Sequence, residues 1–170
     1  GISIKDYSQK EIRQKLGLVL QDPFLFYGTV DSNIRLYGHM SDEDVEEAIR
    51  FVQADFIRDL SHQSKQRVTE RGSTFSSGQR QLIAFARTIA TNPKILVLDE
   101  ATASIDTETE VAIQASLDKM RKGRTTIAIA HRLSTIQDAE QILVLHQGEI
   151  VERGNHQQLL AQKGLYHKMY

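Results

Sequence analysis

The chain has no cysteine and no tryptophan among its 170 residues, and it has only two prolines. The lack of cysteine excludes disulfide bonds and thiolate metal sites. No apolar run approaches the roughly 18 residues of a membrane-spanning helix, so we expect any link to a membrane to come through partners. Basic and acidic residues nearly cancel, at 21 against 22. This balance provides no broad positive surface for nucleic acid or for an anionic membrane.

A second absence concerns phosphate binding. No glycine-rich stretch ends in Gly-Lys-Ser or Gly-Lys-Thr, so these residues lack the loop that cradles phosphates in many nucleotide-binding proteins. The start at residues 1–4 is strand-like, with neither a helix cap nor an initiator methionine. We therefore expect a single domain that forms part of a larger protein.

Four apolar runs predict buried β-strands, a shorter run predicts a fifth strand, and helical patterns fall between most of them. Such alternation favours an α/β fold, with a mostly parallel sheet covered by helices on both faces. The strand pattern disappears between Pro23 and Asn92, where amphipathic helices replace it. We predict an α/β core over residues 1–22 and 93–170 and an inserted α-helical subdomain over 23–92. The predicted strands are Leu16–Leu20, Ile95–Leu98, Thr126–Ala130, Ile142–Leu145 and Glu149–Glu152.

Three helices are predicted inside the insert. Ser41 is expected to cap the first, whose buried stripe includes Val45 and Ile49. The second is predicted over Ala54–Leu60. Ser76 is expected to cap the third, and its stripe includes Leu82, Phe85, Ala86, Ile89 and Ala90.

Polar side chains follow three of the predicted strands: Gln21, the pair Asp99 and Glu100, and His131. Because carboxyl ends of parallel strands meet at one edge of a sheet, we expect these residues to surround one ligand. An aspartate after a buried strand suits Mg²⁺, and a neighbouring carboxylate can orient water for phosphoryl transfer, so Asp99 is assigned to the metal and Glu100 to the water. His131 can polarise a terminal phosphate, and the Gln21 amide can join Mg²⁺ or water. The alternatives are a helix-capping acidic pair, a structural histidine and a turn glutamine.

The start of the third helix is a candidate anion site. A capped, glycine-containing helix start offers backbone N–H groups and a positive dipole end, which makes Ser76, Ser77, Gly78 and Gln79 candidate phosphate-binding residues. Because this helix begins in the insert, we expect it to serve a nucleotide held by another subunit. The alternative is an ordinary capped helix.

Two further segments have two possible interpretations each. Asp106 precedes a helix predicted from Thr107, and it is either a helix cap or a residue that signals across a dimer interface. Phe24, Leu25 and Phe26 are either core residues or a docking surface for a partner.

Together these motifs resemble, over essentially the whole chain, the nucleotide-binding domain of ABC transporters of the exporter type, in which membrane and ATPase halves are fused. The matching segments are Gln21 (Q-loop), Thr69-Glu70-Arg71-Gly72 (X-loop), Phe75 to Gln79 (signature motif), Ile95 to Glu100 (Walker B strand and catalytic glutamate), Ser104-Ile105-Asp106 (D-loop), His131 (switch histidine), and Gly154-Asn155-His156 through Leu160 with Gly164-Leu165-Tyr166 (exporter ending).

The resemblance implies ATP and Mg²⁺ as cofactors and a P-loop NTPase-like fold whose amino-terminal β-subdomain and Walker A loop are absent here. Two such domains would sandwich two ATP molecules, each between one chain's Walker motifs and the other's signature helix. Asp22 to Tyr27 and Thr69 to Gly72 would contact the transmembrane domains of the same polypeptide. The full-length protein would act at the cytoplasmic face of the cell membrane. The 170-residue fragment would be soluble and inactive, with poor ATP binding.

Two positions depart from the usual signature, which has leucine first and glycine third. Phe75 and Ser77 stand there, and a Cβ at Ser77 restricts close backbone approach and positive φ. Beside an intact Glu100 and His131, this departure resembles the catalytically competent member of a bacterial heterodimeric multidrug exporter. A homodimer is the alternative.

Two other functions stay open. One is a soluble ABC-type ATPase that acts on nucleic acid or ribosomes, although the near-neutral charge argues against nucleic acid as a partner. The other is a regulatory or dimerisation module that retains only the shape of an ATPase.

Overall fold

The computed structural model describes residues 2–36, 38–69, 72–99, 107–130 and 133–170. The chain divides into two compact units, over residues 1–127 and 128–170. The division into a core and an inserted subdomain at residues 23–92 stays a prediction. The described strands are β1 (Leu16–Val19), β2 (Gly28–Thr29), β3 (Arg67–Val68), β4 (Ile95–Asp99), β5 (Thr125–Ile129), β6 (Ile142–His146) and β7 (Glu149–Gly154). The described α-helices are α1 (Gln9–Lys15), α2 (Val30–Arg35), α3 (Asp42–Phe51), α4 (Phe56–Asp59), α5 (Ser77–Ala90), α6 (Thr107–Arg121), α7 (His156–Gln162) and α8 (Leu165–Met169).

The central sheet contains three strands in the order β1-β4-β5. β1 and β4 are parallel, and their register runs from Leu16 opposite Ile95 to Val19 opposite Leu98. The apolar run of each strand matches its place in a parallel sheet. The predicted α/β class is confirmed, and so are the strands predicted at these three places.

Burial in β1 alternates along the strand. Gly17 and Val19 are buried, whereas Leu16 and Leu18 are 37% and 56% exposed. A Cβ at Gly17 would lie 2.7 Å from the Thr88 side chain and 2.8 Å from that of Pro93, so this face of β1 packs closely against α5 and the start of β4. The prediction that the whole apolar run is buried therefore holds only for alternate residues.

Capping boxes start the two longest helices between β1 and β4. Ser41 accepts a hydrogen bond from the Asp44 N–H, and the Asp44 carboxylate accepts one from the Ser41 N–H. Ser76 and Gln79 make the same reciprocal pair at the start of α5. These contacts confirm both predicted helix starts.

Helix α5 is buried around most of its surface. Its buried residues include Gln81, Ile83 and Ala84 in addition to most of the predicted stripe. In α3, Val45, Ala48 and Ile49 are buried as predicted. These helices form the core beside the sheet.

Three sequence-based expectations are wrong in detail. Strand structure does occur between Pro23 and Asn92, because β2 and β3 pair antiparallel through Gly28 with Val68 and Thr29 with Arg67. Two-residue strands are too short for an alternating pattern to reveal them. The helix predicted over Ala54–Leu60 is limited to α4. The strand-like start instead forms a 3-10 helix over Ile4–Asp6, because Ser3 caps it locally.

The unit over residues 128–170 contains an antiparallel hairpin, β6 and β7, followed by α7 and α8. The hairpin turn places Gln147 and Gly148 at positive φ, as a two-residue turn between twisted strands requires. Its core consists of Ile142, Val144, Leu159 and Tyr166.

None of the helices in the described ranges combines the length and the apolar character needed to span a bilayer.

Candidate functional site

The parallel pairing of β1 and β4 brings Gln21 and Asp99 to one edge of the sheet. Asp99 is the last residue of β4 and is half-buried. Val19 is opposite Leu98, so Gln21, two residues after Val19, lies at the same end of the sheet as Asp99. Gln21 is exposed. The edge therefore presents one carboxylate and one amide to solvent.

Asp99 borders a small cleft between the sheet and two helices. Its carboxylate has no hydrogen-bond or ion-pair partner among the described residues. Arg121 lines the same cleft, and its buried Nε atom has no hydrogen-bond partner within the part of the chain that the structure describes. The other residues that line the cleft are Val19, Gln81, Phe85, Leu98 and Leu117.

The donor set at this edge fits Mg²⁺ bound together with a nucleotide. Within the described ranges no three side chains of His, Cys, Asp or Glu cluster tightly enough to hold a metal alone. Mg²⁺ in nucleotide sites is typically held by one or two carboxylates, with phosphate oxygens and water as the remaining ligands. An unpaired Asp99 meets that requirement. Glu100, Asp106 and His131 lie outside the described residues.

The start of α5 exposes Ser76 and Ser77 and buries Gly78. Gln79 donates its N–H to Ser76 Oγ at 3.2 Å, and its Oε1 accepts from the Ser76 N–H at 3.0 Å. Ser77 is the first helical residue and is not among the residues at positive φ. Ser77 therefore does not adopt the positive φ that a Cβ would disfavour at this position.

Phe75 is 6% exposed, and its ring meets that of Phe56 edge-on at 6.3 Å between centroids. The aromatic residue in place of the usual leucine thus serves as a core contact between α4 and the start of α5.

The segment Asp22–Tyr27 combines core and surface residues. Leu25 is fully buried, whereas Phe24 and Phe26 are 49% and 48% exposed, with ring centroids 5.0 Å apart. A Cβ at Gly72 would lie 2.8 Å from Leu25 Cδ1. Gly72, the last residue of the Thr69–Gly72 segment, therefore packs against Leu25 of the Asp22–Tyr27 segment. Residues 70–71 lie outside the described residues. The core interpretation is confirmed for Leu25, and docking of a partner on the exposed Phe24 and Phe26 stays a prediction.

Sequence reasoning missed Arg87 and Asn33, which hydrogen-bond to the backbone of the Asp22–Tyr27 segment. Arg87 lies on the buried helix α5 and donates to the carbonyl oxygens of Phe24 and Asn33. A signal was available, because no acidic residue stands three or four positions from Arg87 to pair with it on the helix.

Comparison with known proteins identifies the family. The family model described as ABC transporter matches residues 1–103. A Streptococcus pneumoniae protein named as an ABC transporter ATP-binding protein is 62% identical over 99% of this chain and 29% of its own length. A Bacillus subtilis protein named as a multidrug resistance ABC transporter ATP-binding/permease protein is 55% identical over 100% of this chain and 26% of its own length.

The solved structure of a bacterial Atm1-family ABC exporter with ATP bound is 43% identical, with a TM-score of 0.87 over 98% of this chain and 29% of that one. The chain thus spans less than a third of the length of these relatives. Its fold is the P-loop NTPase-like α/β fold of an exporter's ATP-binding domain. The chain belongs to the ABC transporter family, as part of an ATP-binding domain.

Proposed function

We propose that this chain is the carboxy-terminal part of the ATP-binding and ATP-hydrolysing domain of an ABC exporter. The observation that carries the proposal is the parallel pairing of β1 and β4, which brings Gln21 and an unpaired Asp99 to the same edge of the sheet. Ligands of open α/β sheets bind at such an edge. Family membership narrows the ligand to ATP with Mg²⁺.

In this proposal Asp99 holds Mg²⁺ through its carboxylate, and Gln21 supplies an amide oxygen to the metal or to a water molecule. Bound Mg²⁺ neutralises charge on the phosphate oxygens. Glu100 orients the attacking water and accepts its proton, and His131 donates a hydrogen bond to the terminal phosphate. These roles divide metal binding, proton transfer and charge stabilisation among different residues.

The start of α5 serves the second domain of a dimer. Ser76, Ser77, Gly78 and Gln79 present the positive end of the helix to a nucleotide held by the partner, and Asp106 connects the two sites. The departures at Phe75 and Ser77 favour a heterodimer, in which this chain's carboxylates hydrolyse ATP and its own signature covers a weaker site.

The membrane domains of the same polypeptide contact Asp22–Tyr27 and Thr69–Gly72 at the cytoplasmic face of the cell membrane. Phe24 and Phe26 support this contact, because both are about half exposed and their ring centroids lie 5.0 Å apart, which gives an apolar surface on the Asp22–Tyr27 segment. The multidrug name of the Bacillus subtilis relative supports drugs or other amphipathic compounds as cargo.

The deciding experiment replaces Glu100 by Gln in the full-length transporter and measures ATP hydrolysis. A water-orienting base contributes about a hundredfold or more, so turnover falls at least that far while Mg²⁺-ATP still binds. Turnover within a few-fold of wild type would show that Glu100 does not have this role.

Heterodimer formation predicts asymmetry. With the full-length partner co-expressed, Glu100→Gln in this chain removes most hydrolysis, whereas changing the corresponding partner residue removes little. Equal losses would favour a homodimer-like arrangement with two active sites.

The 170 residues alone are expected to bind Mg²⁺-ATP weakly, because they contain no Gly-Lys-Ser or Gly-Lys-Thr loop. Calorimetric titration of the folded fragment tests this, and micromolar affinity would contradict it.

A further inference from the structure

Arg87 is a half-buried cation in α5 without an ion-pair partner among the described residues. Its Nε donates to the Asn33 carbonyl at 2.7 Å, Nη1 to the Phe24 carbonyl at 3.0 Å, and Nη2 to Asn33 Oδ1 at 3.0 Å. Burial lowers the pKa of Arg87, but a guanidinium stays protonated in proteins. A buried charge is costly, and here carbonyl and amide oxygens compensate it together with the face of the Phe26 ring.

Asn33 completes this network from α2. Asn33 is only 1% exposed, and its Oδ1 also accepts a hydrogen bond from the Phe26 N–H at 2.8 Å. Its Nδ2 donates to the carbonyl oxygens of Phe26 at 2.8 Å and Thr29 at 2.9 Å. Both acceptor sites and both donors of the amide are therefore used.

The network holds the backbone of the 24–26 segment at three atoms: the Phe24 carbonyl, the Phe26 N–H and the Phe26 carbonyl. The Arg87 guanidinium also lies 5.6 Å from the Phe26 ring centroid, within cation–π range. This arrangement keeps Leu25 in the core and leaves Phe24 and Phe26 facing outward. The exposed aromatic surface is thus fixed to α5 by polar contacts as well as by packing.

Arg87 lies ten residues after Ser77, which corresponds to about 15 Å along a helix. Because a helix of this length is stiff, a shift of the 24–26 segment is carried to the Ser76 end of α5. We propose that Arg87 and Asn33 are positioning residues that make the 24–26 segment and α5 move as one body, an inference that rests on the proposed function. They transmit contact at Phe24 and Phe26 to the nucleotide of the partner domain.

Arg124 provides a matched control for a purely structural arginine. It donates from Nε to the Pro93 carbonyl at 3.0 Å, from Nη1 to the Met120 carbonyl at 3.0 Å and from Nη2 to Asn92 Oδ1 at 3.2 Å. The donor pattern is the same, two carbonyl oxygens and one asparagine oxygen. The contacts, however, are made to Asn92 and Pro93 before β4 and to Met120 on α6, not to the 24–26 segment.

The test compares Arg87→Lys with Arg124→Lys in the full-length transporter reconstituted in membranes. Arg87→Lys is expected to lower kcat for ATP roughly tenfold with an unchanged KM for Mg²⁺-ATP, because the residue acts through movement and not through nucleotide contact. Arg124→Lys is expected to change neither constant by more than about twofold. Equal effects of the two variants on kcat would overturn the proposal.

A spectroscopic arm measures the coupling directly. Nitroxide labels on cysteines introduced at the exposed positions Asp22 and Thr91, with other cysteines of the full-length protein replaced, report the distance between the segment and α5. Arg87→Lys is expected to broaden this distance distribution, whereas Arg124→Lys leaves it unchanged. Identical distributions in the wild type and Arg87→Lys would overturn the proposal.

Two further comparisons keep the outcome decisive. If Arg87→Lys does not assemble, Asn33→Ala replaces it, because alanine removes the two donors and the acceptor oxygen of the amide without adding a charge beside Arg87. If Glu100→Gln retains hydrolysis, the proposed function fails, but the distance measurement still tests whether Arg87 joins the two elements.

Discussion

The two ends of the central sheet use their polar groups differently. At the amino end, polar groups are hydrogen-bonded within the fold. Arg124 donates to Pro93, Met120 and Asn92, and the Lys94 N–H donates to the Lys15 carbonyl at 3.0 Å. At the carboxyl end, the side chains of Gln21 and Asp99 have no partner among the described residues. Unpaired groups at one end and satisfied groups at the other distinguish the proposed ligand edge from the structural edge.

This difference has an energetic meaning. A carboxylate left unpaired beside a cleft contributes little to folding, and its oxygen atoms are available to a ligand. A guanidinium whose three nitrogens each donate to a protein acceptor contributes to folding and is held in place by those contacts. Substitutions at the two ends should therefore separate activity from stability.

The largest effect is expected from Asp99→Asn at the carboxyl end. In the full-length transporter, Mg²⁺-dependent ATP hydrolysis is expected to fall about a hundredfold or more, because the amide replaces a charged metal ligand with a neutral one. The free energy of unfolding of the 170-residue chain is expected to change by less than about 0.5 kcal/mol.

Asp118→Asn is the matched control, because Asp118 is an exposed aspartate on α6. It is expected to leave both hydrolysis and stability unchanged. A large loss of stability in Asp99→Asn would contradict the assignment of this carboxylate to a ligand.

The next effect concerns stability at the other end. Gly17→Ala is expected to lower the free energy of unfolding by about 1–3 kcal/mol, because its Cβ would meet Thr88, Pro93 and Leu96 at 2.7, 2.8 and 2.9 Å. Chemical denaturation of the 170-residue chain measures this. Leu18→Ala, one residue away on the exposed face, is expected to cost far less, and equal costs would contradict the packing described for β1.

Sequence patterns predicted the elements whose signals are local. The β4 strand, the caps at Ser41 and Ser76 and the buried stripe of α3 each depend on residues within a few positions of one another, so periodicity and capping rules were enough. The edge shared by Gln21 and Asp99 was also predictable, because it follows from parallel strands ending at polar residues.

The contacts that sequence reasoning missed join distant positions. β2 and β3 pair across nearly forty residues, and Arg87 reaches Phe24 across 63 positions in the chain. Such pairings leave no periodic signal, and the sequence around an arginine on a buried helix does not show which distant carbonyl oxygen accepts its hydrogen bond. The prediction that Leu16 and Leu18 of β1 are buried was wrong for a similar reason, because an apolar run does not show which face of the strand packs against other residues.

A smaller effect is expected from Arg124→Gln at the amino end. Loss of hydrogen bonds to Pro93, Met120 and Asn92 is expected to lower the free energy of unfolding by about 1–2 kcal/mol, measured by urea denaturation of the 170-residue chain. ATP hydrolysis per folded full-length molecule is expected to stay within about twofold of wild type. A loss of hydrolysis as large as that of Asp99→Asn would remove the distinction between the two ends.

The smallest effect tests whether ordinary ion pairs away from both ends behave as structural groups. The Asp31 side chain is 14% exposed and contacts Arg35 at 2.9 Å and Lys65 at 3.2 Å. Burial acts to raise the pKa of Asp31, but hydrogen bonds from Arg35 and Lys65 outweigh it, so the pKa lies below the ordinary 3.8. Because the folded pKa is lowered, the stability that Asp31 contributes is complete above the unfolded pKa and is lost as the pH falls through the folded one.

Asp31→Asn is therefore expected to cost about 0.5–1 kcal/mol at pH 7, and the difference from wild type should shrink below about pH 4. Denaturation curves of both chains from pH 7 to pH 3 measure this, and a difference that is independent of pH would mean that packing, not charge, accounts for the contribution of Asp31.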